Sequence, residues 1–89
     1  MKYKSTFKIV NTSRYVIKVI LEPWAEYHTL QPGQHIDIVG EGGEVGDNFE
    51  LTYEGRYVLV HAWPNSLANA YRDGIELAPE AQTSLDEYK

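Results

Sequence analysis

Three histidines are the first residues of this chain that could bind a metal ion or move a proton. His28, His35 and His61 have neither the His-x-His nor the His-x-x-x-His spacing that places two rings on one metal. Catalytic zinc takes three protein ligands in a close, fixed geometry. A blue-copper centre also needs a cysteine thiolate, and the chain contains no cysteine. The sequence therefore predicts no metal site.

The motifs that organise catalytic side chains are also missing from the sequence. His61 could act as a base with Glu22 or Glu26 as its carboxylate partner, but any small protein contains such residues. The chain has no Gly-x-Ser-x-Gly elbow and no phosphate-binding glycine loop. We therefore expect that the protein is not an enzyme and needs no cofactor.

A glycine-rich acidic stretch, residues 40–48, is the next candidate for ligand chemistry. The carboxylates of Glu41, Glu44 and Asp47 and the side-chain amide oxygen of Asn48 are oxygen ligands of the kind that calcium prefers. Their spacing does not match an EF-hand loop, and glutamates between the glycines repel a phosphate. We interpret the stretch as a solvated loop, and whether it binds a cation stays open.

Aromatic residues at the ends of predicted strands are the best candidates for a binding surface. Trp24 follows Pro23 and Trp63 precedes Pro64, so each indole lies where a strand ends. Such rings can stack on sugars or on proline-rich peptides. In a core this small we favour the other use, in which the tryptophans seal the ends of the sandwich with their N–H groups bonded to loop carbonyls. The predicted binding residues are Trp24, Tyr27, Trp63 and Tyr71.

The elements that must position these side chains are β-strands, because apolar and polar residues alternate along most of the chain. Short strands separated by turn residues predict an all-β fold, a small antiparallel β-sandwich of about seven strands. Its outline is Greek-key, immunoglobulin-like or cupredoxin-like. The expected core residues are Phe7, Ile9, Ile17, Val19, Leu21, Ile36, Ile38, Phe49, Leu51 and Leu59.

Two turn signals predict hairpins. Pro32-Gly33 fits the centre of a type II turn, so residues 27–39 should form a hairpin that leaves His28 and His35 outside the core. Asp73-Gly74 fits a type I′ turn between two strands within residues 67–77. The spacing of apolar residues there also allows a short helix, with Gly74 as its C-terminal cap. We favour the hairpin.

Length and charge limit the organisation of the chain and its partners. Eighty-nine residues suit a single domain, which we place at residues 1–79, followed by a polar, acidic and flexible tail at 80–89. A net charge of −5 argues against a nucleic-acid partner. The short apolar runs argue against a membrane span, and the charged N-terminal segment predicts a cytoplasmic location.

Three short motifs carry a resemblance to known proteins. They are Leu21-Glu22-Pro23-Trp24, then Leu30-Gln31-Pro32-Gly33, then Tyr71-Arg72-Asp73-Gly74. Together they resemble small uncharacterised bacterial β-sandwich proteins with an LEPW…L-x-PG pattern. The resemblance implies the sandwich fold and a bacterial source, and it brings no function with it.

The expected function follows from the missing chemistry and from the fold. We expect a non-catalytic module that binds a protein or a peptide, because open sheets expose strand edges that can pair with another chain. One alternative is carbohydrate or small-ligand binding through the aromatic residues at strand ends. Another is a self-associating structural protein, a homo-oligomer.

Overall fold

The computed structural model describes residues 2–80, which form two four-stranded β-sheets. The first sheet has the strand order β1-β4-β7-β8, and the second has the order β3-β2-β6-β5. The predicted all-β sandwich is confirmed. No helix in this part of the chain is long and apolar enough to span a bilayer. The strands are β1 Lys4–Val10, β2 Ile17–Glu22, β3 Glu26–Leu30, β4 His35–Gly42, β5 Glu50–Glu54, β6 Tyr57–His61, β7 Ser66–Arg72 and β8 Ile75–Glu76.

The core lies between the sheets and uses alternate residues of the central strands. Val19 of β2 and Val58 of β6 are buried on the inner face of the second sheet. Ile36 of β4 is buried on the inner face of the first sheet. Removing such a side chain from water stabilises the fold by about 1.5–3 kcal/mol. The buried cluster consists of Ile9, Val19, Leu21, Leu30, Ile36, Ile38, Val58, Val60, Ala68 and Ala70.

The second sheet is mixed, whereas the sequence had predicted an antiparallel sandwich. β2 and β6 pair in parallel, with Lys18 opposite Tyr57 and Glu22 opposite His61. The other paired strands within residues 2–80 are antiparallel. Parallel neighbours need a long connection between them. Here that connection contains β3, β4 and β5.

The turn at Pro32-Gly33 forms, but it does not close a hairpin. The Gln34 N–H donates to the Gln31 carbonyl oxygen at 3.0 Å, and Gly33 has the positive φ that a type II turn requires. However, β3 pairs with β2 and β4 pairs with β1, so the chain crosses between sheets at this turn. The hairpin predicted for residues 27–39 is therefore wrong. A turn signal specifies that the chain reverses, not that both strands stay in one sheet.

The hairpin predicted within residues 67–77 is confirmed. β7 and β8 pair with Arg72 opposite Ile75. Asp73 and Gly74 both have positive φ, 52° and 82°, as a type I′ turn requires. The helical alternative for this segment is therefore wrong.

Asn11 ties together the end of the sandwich where β1 and β3 finish and where β2 and β4 begin. Its buried side-chain amide donates to the carbonyl oxygens of Tyr15, at 2.7 Å, and Leu30, at 2.9 Å. Its backbone N–H donates to the Gln34 carbonyl oxygen at 2.9 Å. We refer to this end as the Asn11 end. β1 and β3 run towards it, and so does β5, because β5 is antiparallel to β6 and β6 is parallel to β2.

Candidate functional site

The structure does not bring the four predicted binding residues together. Trp24 and Trp63 line one cleft at an end of the sandwich. Tyr27 is buried on β3, and Tyr71 lies on β7 beside a different, shallow depression of the first sheet. Trp24, Tyr27, Trp63 and Tyr71 therefore do not form one surface.

Trp63 packs as part of the core rather than as a contact surface. It is 6% exposed, and its indole N–H donates to the carbonyl oxygen of Gly42 at 3.0 Å. Its ring centroid lies 4.9 Å from that of Phe49 and 5.8 Å from that of Tyr3. This is the end-sealing arrangement that the sequence favours for the tryptophans.

Trp24 is the aromatic ring of the cleft that solvent can reach, with 36% of its surface exposed. Glu22 and His61, which lie opposite each other on β2 and β6, place polar groups in the same cleft. The turns on its two sides place Ala25 and Asn65 at positive φ, 55° and 66°. Backbone strain of this kind is concentrated at functional sites.

The histidines lie apart, and the expectation that His28 lies outside the core is wrong. His28 is 3% exposed, because β3 pairs with β2 and turns His28 to the same side as the buried Leu30. Burial lowers the pKa of His28, Arg72 lowers it further and Glu80 opposes both. Within residues 2–80 no three His, Cys, Asp or Glu residues are grouped to hold a metal ion.

The other two histidines, His35 and His61, lie in different sheets. His35 lies on β4, where its Nε2 is 3.2 Å from an Asp73 carboxylate oxygen. His61 lies on β6 in the other sheet and lines the Trp24 cleft. The acidic stretch 40–48 is also less of a loop than expected, because residues 40–42 belong to β4.

The edge strands of the two sheets differ in how well they are protected from pairing with another chain. β1, β8, β3 and β5 are the edge strands, and an edge strand carries unpaired backbone groups that can template another chain. β8 is only two residues long. β1 carries Lys4 and Lys8 on its outer face, and lysines on an edge oppose pairing with a like strand.

The β3 edge is covered by Glu80. The Glu80 N–H donates to the carbonyl oxygen of Tyr27 at 2.8 Å, and the Glu80 carboxylate accepts bonds from the N–H and hydroxyl of Thr29, both at 2.6 Å. Burial acts to raise the pKa of Glu80, but these bonds and the nearby Lys18 outweigh it and hold the pKa below the usual value. The sequence placed Glu80 at the start of a tail; residues 81–89 lie outside the described residues.

Among residues 2–80, nothing comparable covers the side chains of β5. Leu51 lies opposite Val60, and Tyr53 opposite Val58. Directly opposed residues in an antiparallel pair project to the same face, so Leu51 and Tyr53 face the side on which both valines are buried. Leu51 is nevertheless 46% exposed and Tyr53 74% exposed. We call these two residues the β5 ledge, because they extend the inner face of the sheet beyond the core.

The backbone groups of the same two residues also have no strand beside them within residues 2–80. β6 bonds to β2 through its even-numbered residues, as the bond from the Ala62 N–H to the Glu22 carbonyl oxygen (3.0 Å) shows. Backbone groups alternate in direction along a strand, so the odd-numbered residues of β6 bond to β5, where they lie opposite even-numbered residues. The N–H and C=O groups of Leu51 and Tyr53 therefore point away from the sheet.

The ledge continues towards the Asn11 end into a shallow cleft. Tyr53 lines this cleft together with Val10 and Tyr15. The guanidinium carbon of Arg56 lies 4.0 Å from the centroid of the Tyr15 ring, a cation–π contact that holds this ring beside the strand. The exposed surface around β5 is thus apolar and aromatic on its inner side.

Sequence reasoning missed this site. It placed Leu51 in the core, because alternation along a strand gives the face of each residue but not whether a second sheet covers it. The comparisons with known proteins add no relative, because no protein-family model, curated protein or solved structure matches the chain. The resemblance to small bacterial β-sandwich proteins therefore stays a prediction.

Proposed function

We propose that this protein is a non-catalytic interaction module that binds an extended segment of a partner protein along β5, and that it works in the cytoplasm. The observation that carries the proposal is the β5 ledge. Leu51 and Tyr53 combine exposed apolar side chains with outward-pointing backbone groups on one edge strand. A partner strand that pairs there satisfies the backbone and covers the side chains in one step.

The backbone and the side chains of β5 contribute differently to such a complex. Backbone bonds to Leu51 and Tyr53 supply affinity that does not depend on the partner's sequence. Selectivity comes from the side chains on the two faces. Glu50 and Glu54 lie on the outer face of β5, on either side of Thr52. The fitting partner therefore has apolar residues facing the ledge and basic residues facing these two glutamates.

Amide hydrogen exchange tests this proposal directly. In dilute free protein we expect the Leu51 and Tyr53 amides to exchange quickly, whereas the Thr52 amide, bonded to β6, is protected. Peptides of about nine residues, selected from a random library for binding to the protein, should then protect the Leu51 and Tyr53 amides. They should also show apolar residues alternating with lysine or arginine.

The variant Tyr53→Pro tests whether peptide binding depends on the β5 edge. Tyr53→Pro removes one outward N–H and the exposed ring but no bond to β6, and edge positions whose N–H faces solvent tolerate proline. Selected peptides should lose binding to this variant while its thermal unfolding stays close to that of the wild type. Peptides that bind Tyr53→Pro as tightly as the wild type contradict the proposal.

The Trp24 cleft supports a second candidate function, carbohydrate binding. The exposed indole of Trp24 offers a stacking face, and Glu22 and His61 offer hydrogen bonds to hydroxyl groups beside it. Trp63→Phe leaves Trp24 as the only fluorophore of this kind, so its emission can be titrated with a panel of oligosaccharides. A saturable shift of the Trp24 emission that is lost when Glu22→Ala is added supports the function; an unchanged emission across the panel removes it.

A further inference from the structure

We propose that the strand that occupies β5 is β1 of a second copy of this chain, so that two copies form a closed two-fold dimer. This inference rests on the proposed function and names the partner of the same edge. It follows from the positions of β1 and β5, from the backbone groups that each exposes, and from the charges on their outer faces.

β1 and β5 lie on the same side of the sandwich, one at the edge of each sheet. The rings of Phe7 on β1 and Phe49 before β5 are 4.9 Å apart between centroids. Val10 and Tyr53 line one cleft at the Asn11 end. Both strands run towards that end. β1 and β5 are therefore neighbouring edge strands that run in the same direction.

A two-fold axis between the two layers, parallel to the strands, brings these edges together. Rotation about this axis exchanges the layers, so β5 meets the partner's β1 in one layer and β1 meets the partner's β5 in the other. Each pairing is parallel, because the rotation keeps the direction of the strands. Both open edges are used, and the assembly closes at two copies.

The backbone groups of β1 that point away from β4 belong to the residues that this pairing needs. β1 bonds to β4 through its odd-numbered residues, as the bond from the Gly42 N–H to the Tyr3 carbonyl oxygen (2.8 Å) shows. Its even-numbered residues therefore expose their N–H and C=O groups. In a parallel pair, a residue bonds to the two neighbours of the residue opposite it. Leu51 then lies beside an odd-numbered residue such as the partner's Ile9, and the two inner apolar faces become continuous.

Antiparallel pairing of the same strands gives a worse arrangement. The exposed groups of Leu51 would then pair directly with those of an even-numbered residue such as Lys8. Opposed residues project to one face, so the lysine would enter the apolar side of the ledge. The parallel, two-fold arrangement avoids this and keeps the lysines on the outer face.

The outer faces of the two strands have opposite charges. β5 presents Glu50 and Glu54, and β1 presents Lys4 and Lys8. Lys4 also pairs with Glu41 of its own sheet, at 3.2 Å. With Leu51 beside the partner's Ile9, Glu50 lies beside the partner's Lys8; opposite charges on adjoining strands favour the pairing, whereas like charges directly opposed disfavour it. Pairing of β5 with the partner's β5 would place Glu50 opposite the partner's Glu54, so the charges select β1.

Two complementary charge reversals test the dimer. The pair Glu50→Lys with Glu54→Lys makes both edges basic, and the pair Lys4→Glu with Lys8→Glu makes both edges acidic. Light scattering after size exclusion should show that the wild type is a dimer at about 100 µM, which detects micromolar affinity. Each double variant alone should be a monomer. An equimolar mixture of the two variants should form a dimer again, because both of its seams join unlike charges.

Glu44→Lys with Glu76→Lys is the control for Glu50→Lys with Glu54→Lys, because it makes the same change in net charge away from β1 and β5. This variant should remain a dimer, and circular dichroism should show that all variants are folded. A wild-type monomer at this concentration overturns the inference, and so does a mixture that stays monomeric. In either case, selected peptides that still protect the Leu51 and Tyr53 amides leave the proposed function standing. Without that protection, both proposals fail.

Discussion

Gly40 of β4 and Phe49 ahead of β5 stand so close that a Cβ on residue 40 would lie 2.6 Å from the Cζ of the phenyl ring. The same Cβ would lie 2.6 Å from an atom of the Trp63 indole. The missing side chain at position 40 is therefore what lets the two rings pack edge to face against the first sheet.

Gly40→Ala should consequently destabilise the fold. Overpacking of a well-filled site costs about 1–3 kcal/mol, because the rings must move. Urea unfolding followed by circular dichroism measures this loss. Adding Phe49→Leu should recover part of it, since the smaller side chain makes room for the methyl group. A Gly40→Ala variant as stable as the wild type shows that the rings have space to move.

The β5 ledge should tolerate polar substitutions that its neighbours do not. Leu51→Ser and Tyr53→Ser change exposed side chains, so each should alter the free energy of unfolding by less than about 0.5–1 kcal/mol. Val60→Ala, directly opposite Leu51, empties buried space and should cost about 2 kcal/mol. Urea unfolding of dilute, monomeric protein compares the three. Equal losses at positions 51 and 60 contradict the exposure of the ledge.

His28 should make the protein less stable in weak acid. The unfolded chain has the ordinary histidine pKa of 6.5, and the folded protein has a lower pKa at His28, mainly because of burial. Between these two values the unfolded state binds more protons, so stability is complete above pH 6.5 and falls as the pH drops through this window. Unfolding free energies from pH 7.5 to 5 should show the loss.

His28→Leu should flatten this part of the pH profile, because the proton is no longer taken up on unfolding. His35→Gln is the control, since that ring lies on β4 beside Asp73 and should leave most of the loss in place. A profile that is unchanged in His28→Leu rules out His28 as its source.

Glu80 should matter to the β3 edge despite its place near the end of the described chain. Glu80→Ala removes the carboxylate that accepts two bonds from Thr29, which should cost on the order of 1 kcal/mol. The Thr29 amide should then exchange faster. Because the pKa of Glu80 is lowered in the fold, its contribution is present above the ordinary value of 4.5 and is lost as the pH falls through the folded-state pKa. Glu76→Ala, on exposed β8, should change neither quantity.

The alternation of residue types was enough to predict the strands and much of the core. Val19, Leu21, Ile36 and Ile38 are buried as expected, because a period of two assigns each residue to one face. The Asp73-Gly74 hairpin was also predictable, since both positions need positive φ and these residues tolerate it.

The partners of each strand were not predictable in the same way. β3 pairs with β2 instead of forming the expected hairpin with β4. His28 is therefore buried in the core and not exposed to solvent as predicted. The choice depends on which apolar faces meet across the layers, and local patterns do not contain that information. The β5 ledge has the same origin, because Leu51 has the pattern of a core residue but is 46% exposed.

The parallel pairing of β2 with β6 has a consequence for the order in which the protein acquires its shape. β2 buries Ile20 on one face and Val19 and Leu21 on the other, and its second neighbour is encoded far downstream, after β5. During synthesis, a chain that has emerged only as far as β4 holds Ile20 and Leu21 on a strand with one side still open. Contacts between distant residues form slowly. We therefore expect this side of β2 to stay open until residues 57–61 have emerged and paired with it.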